Sequence, residues 1–210
     1  MGGDPVELGI VESLNRPGGN ITGVTFLVSG LTAKALEILH DLLPKAITIG
    51  FLLNPKNPNS ESGMKEAEEA ANKLGKKIIA AEASTEHEID SAFITLVQRQ
   101  VAALLVQPDT LFTERRVKIV MLAARQALPA AYTLRDFADA GGLVAYGTSI
   151  TDANRQLGSQ TGRVLKGDKP ADLPVMQSTR FELIINLKTA KTLGLEIPLI
   201  LFARADEVIE

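Results

Sequence analysis

The sequence predicts an α/β protein built on a parallel five-stranded sheet with helices on both faces. Three observations carry the prediction. Near-continuous apolar runs of strand length, such as "AITIGFLL" (46–53) and "VAALLVQ" (101–107), suit strands buried on both faces of a parallel sheet. Stretches with apolar residues at helical spacing lie between them. Proline, glycine and asparagine punctuate the handovers. Strands alternating with helices in this way build βαβ units.

Taken in order, "NITGVTFLV" (20–28) is a short β-prone run. Residues 32–43 follow as a helix with Leu36, Leu39 and Leu43 on one face and Pro44 as its stop. The first main strand runs near 47–53. A helix over 60–74 places Met64, Ala67, Ala71 and Leu74 on one stripe and Gly75 just past its end. "KIIAAEA" (77–83) is the next strand, and Ser84 or Thr85 caps a helix that turns Ile89, Phe93, Leu96 and Val97 inward. The strand at 101–107 stops at Pro108-Asp109. A helix over 113–127, capped by Thr113, turns Val117, Val120, Met121 and Ala124 inward. Strands at 129–134 and 143–148 flank the short helical turn "RDFADAGG". A helix at 151–166 ends at Gly167, and a polar loop leads to the strand "FELIIN" (181–186) and a short last helix.

Composition narrows the function. The 210 residues suffice for one large or two small domains, and 45% hydrophobic residues fit a globular chain. Lys and Arg total 22 against 25 Asp and Glu, a net charge of -3, so no basic excess draws nucleic acid. The absence of cysteine excludes disulfides, thiolate metal sites and cysteine nucleophiles. No apolar run has the length of a membrane span, and "MGGDPVELG" lacks the basic and apolar regions of a signal peptide. His40 and His87 lie in predicted helices without metal-ligand spacing, and neither a GxSxG elbow nor a Walker lysine loop occurs. "RPGGN" (16–20) is not followed at once by a helix, so it makes no phosphate cradle. No cofactor, metal or catalytic residue is expected.

Open α/β sheets bind ligands outside the carboxyl ends of their strands. That rule selects 54–60, 107–109, 133–136 and 146–149, whose Asn, Asp, Tyr and Arg residues suit the orientation of a small polar ligand. The same residues also read as ordinary turns, with Ser60 as a helix cap.

The segments "SLNRPGGNITGV", "PAAYTLRDFADAGGLVAYG", "VLKGDKPADLPV", "FELIINLKTAKTLGLEIP" and "LFARADEVIE" together resemble the ABC-transporter substrate-binding proteins of the tryptophan/tyrosine-binding type, over nearly the whole chain. The resemblance implies the type I periplasmic-binding fold and a small organic solute, such as an aromatic amino acid, held between two lobes. The "GGDPV" start lies well inside proteins of that family. The chain is therefore expected to lack most of the N-terminal lobe, with Met1 internal to a longer protein whose parent is periplasmic or in the cell envelope. Residues 1–44 are then a remnant of lobe one and the hinge, and 45–147 form lobe two. Residues 148–176 carry a crossover helix belonging to lobe one, and 177–210 form the return strand and C-terminal segment. The resemblance places Asn54, Asn59, Ser60, Asp109, Thr133 and Arg135 on the lobe-two wall of the site and Tyr146 at the crossing. It implies an ABC permease as partner. The faces around Leu14, Val24, Phe26, Leu157 and Val164, left without their lobe, imply self-association. An α/β enzyme using the same strand ends, and a ligand-sensing module of a regulator, are the competing readings.

Overall fold

The computed structural model describes residues 4–26 and 30–210. Expectations placed on residues 1–3 and on Leu27 and Val28 fall outside them. The chain divides into two units, one of residues 1–28 and 148–181 and a larger one of 29–147 and 182–210.

In the larger unit, α1 (Leu31–Leu42) precedes β2 (Thr48–Leu53), with β1 (Val24–Phe26) assigned to the other unit. There follow α2 (Ser60–Lys73), β3 (Lys77–Glu82), α3 (Glu86–Gln98), β4 (Ala103–Val106), α4 (Thr110–Glu114), α5 (Arg116–Arg125), β5 (Ala130–Tyr132), α6 (Arg135–Asp139) and β6 (Val144–Thr148). After the excursion into the smaller unit come β8 (Phe181–Asn186), α8 (Leu187–Thr192), α9 (Leu199–Arg204) and β9 (Glu207–Ile209). One sheet runs in the order β3-β2-β4-β5-β6-β8-β9. Strand β2 is parallel to β3 and β4, β4 to β5, β5 to β6, and β8 to β9. The five predicted strands are its core; β8 and β9 extend the sheet to seven.

Side-chain alternation sorts the core into two layers. Ile49, Phe51, Leu53, Ala103, Leu105, Ala131, Val144 and Ile185 pack with α1, α2, Ala190 of α8 and Leu201 of α9. Leu52, Leu104, Val106, Ala130, Tyr132, Ala145 and Ile184 pack with α3, α5 and α6 on the other side. A strand with both faces covered has no polar face to show, which is why its sequence is an apolar run rather than an alternation. Each such Leu, Ile or Phe contributes about 1.5–3 kcal/mol by leaving water. Gly50 marks a close approach: a Cβ there would stand 2.4 Å from Leu96 Cδ2 of α3, so a side chain would force the Leu96 side chain to move.

Helix starts follow from local chemistry. Thr85 caps α3 by accepting from the Glu88 amide at 3.3 Å. Helix α1 follows Gly30, which has no side chain to cap it, and Glu66 of α2 accepts from the Ala33 amide at 3.0 Å instead. The predicted 113–127 helix is two helices, and its cap is Asp109 rather than Thr113. Asp109 sits in extended backbone after Pro108 and accepts from the amides of Leu111 and Phe112. The Thr113 hydroxyl donates back to the Asp109 carbonyl at 2.8 Å. Restarting at Arg116 rotates the inward face to Ile119, Val120 and Ala123, leaving Val117 and Met121 exposed. Val97 is also exposed, because Ala92 takes the fourth inward place on α3.

The smaller unit holds β1 (Val24–Phe26), α7 (Ile150–Leu165) and β7 (Met176–Ser178), with β1 and β7 forming a two-stranded parallel sheet. Ser149 caps α7 through the Asp152 amide. Gln160 ties the helix to the strands: its Oε1 accepts from the Thr22 hydroxyl at 3.2 Å and its Nε2 donates to the Pro174 carbonyl at 2.7 Å. Leu157 and Leu165 on α7 are exposed, whereas Leu14, Val24, Phe26 and Val164 are half-buried. Helix α1 packs on β4 and β5 within the larger unit.

Candidate functional site

Strand β2 delivers Asn54 to the carboxyl edge of the sheet, where Pro55 ends the ladder. Two nested asparagine turns follow. The Lys56 amide donates to Asn54 Oδ1 at 3.0 Å, and the Asn59 amide donates to Asn57 Oδ1 at 2.9 Å. The Ser60 amide then donates to the Asn57 carbonyl, and α2 begins.

Ser60 is the first residue of α2 and not its cap; Asn59 holds the cap position without a side-chain cap bond. The buried Ser60 hydroxyl turns back instead, donating to the Asn54 carbonyl and lying 3.1 Å from Gln107 Oε1.

Strand β4 ends beside this turn. Gln107, 3% exposed, accepts from the Asn54 amide at 3.0 Å through the same Oε1. Asp109 Oδ2 accepts from Asn54 Nδ2 at 3.1 Å and from Asn57 Nδ2 at 2.9 Å, while Oδ1 caps α4. Asn57 Nδ2 also donates to the Pro108 carbonyl at 3.1 Å. Of the seven predicted residues, Asn54, Ser60 and Asp109 are thus joined in one hydrogen-bonded cluster, with Asn59 in the same turn.

The other three lie just past β5, in α6 and in β6. Thr133 is buried at the end of β5, with its carbonyl pressed against Gly147: a Cβ on that glycine would lie 1.7 Å from the oxygen. Arg135 opens α6 and clamps Glu207 of β9 with two bonds, of 2.5 and 2.6 Å, and Asp139 with one of 3.2 Å. The Glu207 hydrogen bond raises the guanidinium further above its already high value, and the same bond holds the Glu207 carboxyl below its ordinary range. Half-buried Tyr146 packs against the layer that includes α1 and α2. Asn57 and Gln107 complete the cluster without having been singled out among the expected site residues. Their signals were the repeated Asn-Pro pair and a glutamine directly before Pro-Asp.

Chemically the cluster is a set of fixed amide and carboxylate dipoles at a strand edge, suited to orienting a polar solute. Among the described residues, no group of three or more histidines and carboxylates is placed to hold a metal ion, and no helix is long and apolar enough to cross a membrane.

The family model described as ABC transporter substrate binding protein matches residues 1–209. The chain belongs to that family. A tyrosine-binding protein of Clostridioides difficile (strain R20291) is 30% identical over 193 residues, covering 92% of this chain and 55% of the relative. The substrate-binding chain thus spans little more than half the length of that relative. Among solved structures, the ABC domain in complex with L-Trp from Streptococcus pneumonia superposes with a TM-score of 0.85 at 29% identity, covering 98% of this chain and 69% of the other. A conserved domain protein from Vibrio cholerae gives 0.85 at 25% identity, with 98% and 68% covered. The parallel α/β sheet is accordingly that of the periplasmic-binding proteins.

Proposed function

We propose that this substrate-binding chain captures a small organic solute, with an aromatic amino acid as the leading class, for an ABC-type importer whose permease is its membrane partner. The work is done outside the cytoplasmic membrane, in the periplasm or cell envelope. The wall that meets the solute is the carboxyl-edge cluster of Asn54, Asn57, Asn59, Ser60, Gln107 and Asp109, with Thr133 just past β5, Arg135 at the start of α6 and Tyr146 on β6. The observation that carries the reading is the likeness over almost the whole chain to a protein bound to L-Trp and to a tyrosine-binding protein. The cluster supports binding rather than catalysis: the Asp109 carboxylate accepts four N–H groups and activates no nucleophile.

Isothermal titration of the chain with L-tryptophan, L-tyrosine, glycine and a hexose tests the proposal. Saturable binding of an aromatic amino acid, weakened by Asn54→Ala, is expected. Equal heats for all four, or none, reject it. The exposed Leu157 and Leu165 of α7 support self-association, and light scattering that shows a clean monomer across micromolar concentrations rejects that part.

A further inference from the structure

We infer that Gln107 is the positioning residue of the solute-facing turn, acting on the solute through Asn54 and Ser60 rather than by touching it. The inference rests on the reading above that this turn meets the solute.

Three observations carry it. First, Gln107 is buried at 3% exposure, and its one side-chain oxygen touches both ends of the turn: it accepts from the Asn54 amide where the turn leaves β2, and it lies 3.1 Å from the Ser60 hydroxyl, itself bonded to the Asn54 carbonyl, where the turn enters α2. Second, the glutamine is itself anchored, because its backbone amide donates to the Leu52 carbonyl of β2 at 3.0 Å. The oxygen is therefore held by the sheet and measures the turn against it. Third, the other contacts across this edge come from Asn54, Asn57 and Asp109, whose side chains are half-buried and open to competition from water. A buried bond is the one whose loss cannot be replaced by solvent. The Gln107 Nε2 atom, by contrast, is buried without a partner beside Gly63, 3.4 Å from where a Cβ on that glycine would stand. The amide thus uses its oxygen and leaves its nitrogen idle, so the acceptor is what the position requires.

The experiment pairs Gln107→Met, which keeps length and removes the acceptor, with Gln107→Glu, which keeps it. Hydrogen exchange is read at the Asn54 amide and across 54–63, alongside titration with L-tryptophan and L-tyrosine. Gln107→Met should speed exchange at Asn54 at least about tenfold, and Gln107→Glu should restore protection, the factor corresponding to one buried hydrogen bond. Affinity for whichever amino acid binds should fall about tenfold in the methionine variant and recover in the glutamate variant. Unchanged exchange at Asn54 in Gln107→Met overturns the inference. So does exchange that rises equally in both variants. If wild-type protein binds neither amino acid, the functional reading fails, while the exchange data still decide the role of Gln107.

Discussion

Replacing Asp109 with alanine should destabilise the larger unit as well as weaken solute binding. One oxygen of the carboxylate caps α4 through the Leu111 and Phe112 amides, and the other receives Asn54 and Asn57. Loss of an aspartate cap costs about 1 kcal/mol. Bonds to a charged acceptor are worth about 1.5–3 kcal/mol each when independent. Here two of them share one oxygen, and their donors are half-buried, so water recovers part of the loss. The sum is roughly 2–4 kcal/mol, which lowers the melting midpoint by roughly 5–15 °C for a chain of this size. Asp109→Asn is the informative companion. It keeps the cap if its oxygen faces the α4 amides, but then turns an NH2 group toward two other NH2 groups, so about half the loss should remain. Calorimetry of both variants without solute checks the estimate. If Asp109→Ala melts within about 1 °C of wild type, the carboxylate holds nothing and the reasoning fails.

Two further outcomes follow from single contacts. Gly147→Ala forces a Cβ onto the Thr133 carbonyl, which backbone atoms cannot step aside from; a loss of at least about 2 kcal/mol is expected, and an unchanged melting curve would remove that contact from the argument. The Arg135 bond holds the Glu207 carboxyl below its ordinary 4.5. A depressed carboxylate stabilises the fold above the unfolded value and loses that contribution as pH falls through the folded one. Below pH 4.5 the amides of Val208 and Ile209 should therefore lose protection relative to their intrinsic exchange rates, and Glu207→Gln should abolish this dependence. The pair is half-exposed, so it is worth at most about 1 kcal/mol, and acid-insensitive exchange at both amides would count against the clamp.

The main strands were legible because burial on both faces leaves an unmistakable apolar run, as in 47–53 and 101–107. What escaped was decided by tertiary context. Strand β9 is three residues at a sheet edge, too short for periodicity to register. The start of α4 and its break from α5 at Arg115 escaped because the Asp109 cap depends on where β4 ends. The strand-edge rule selects the stretches that hold Asn54, Asn59, Ser60 and Asp109, and the structure joins Asn54, Ser60 and Asp109 in one hydrogen-bonded cluster. The partners of Asn54 were not legible, since a turn in sequence does not say which neighbouring strand will receive its amides. The acceptor of Arg135 was not legible, because Glu207 lies far along the chain on the strand that the sequence had hidden.

The chain crosses between its units at 28–29, 147–148 and 181–182, so the larger unit is assembled from two separate lengths of sequence. On a ribosome its sheet waits: β6 gains its neighbour β8 only after every residue of the smaller unit has been made. Until then the β6 edge, with buried Val144 and Ala145 in mid-strand, stands open to water and to other chains. Ending synthesis before 181 would leave that edge permanently unpaired, and a separately supplied 182–210 peptide is the fragment that should close it.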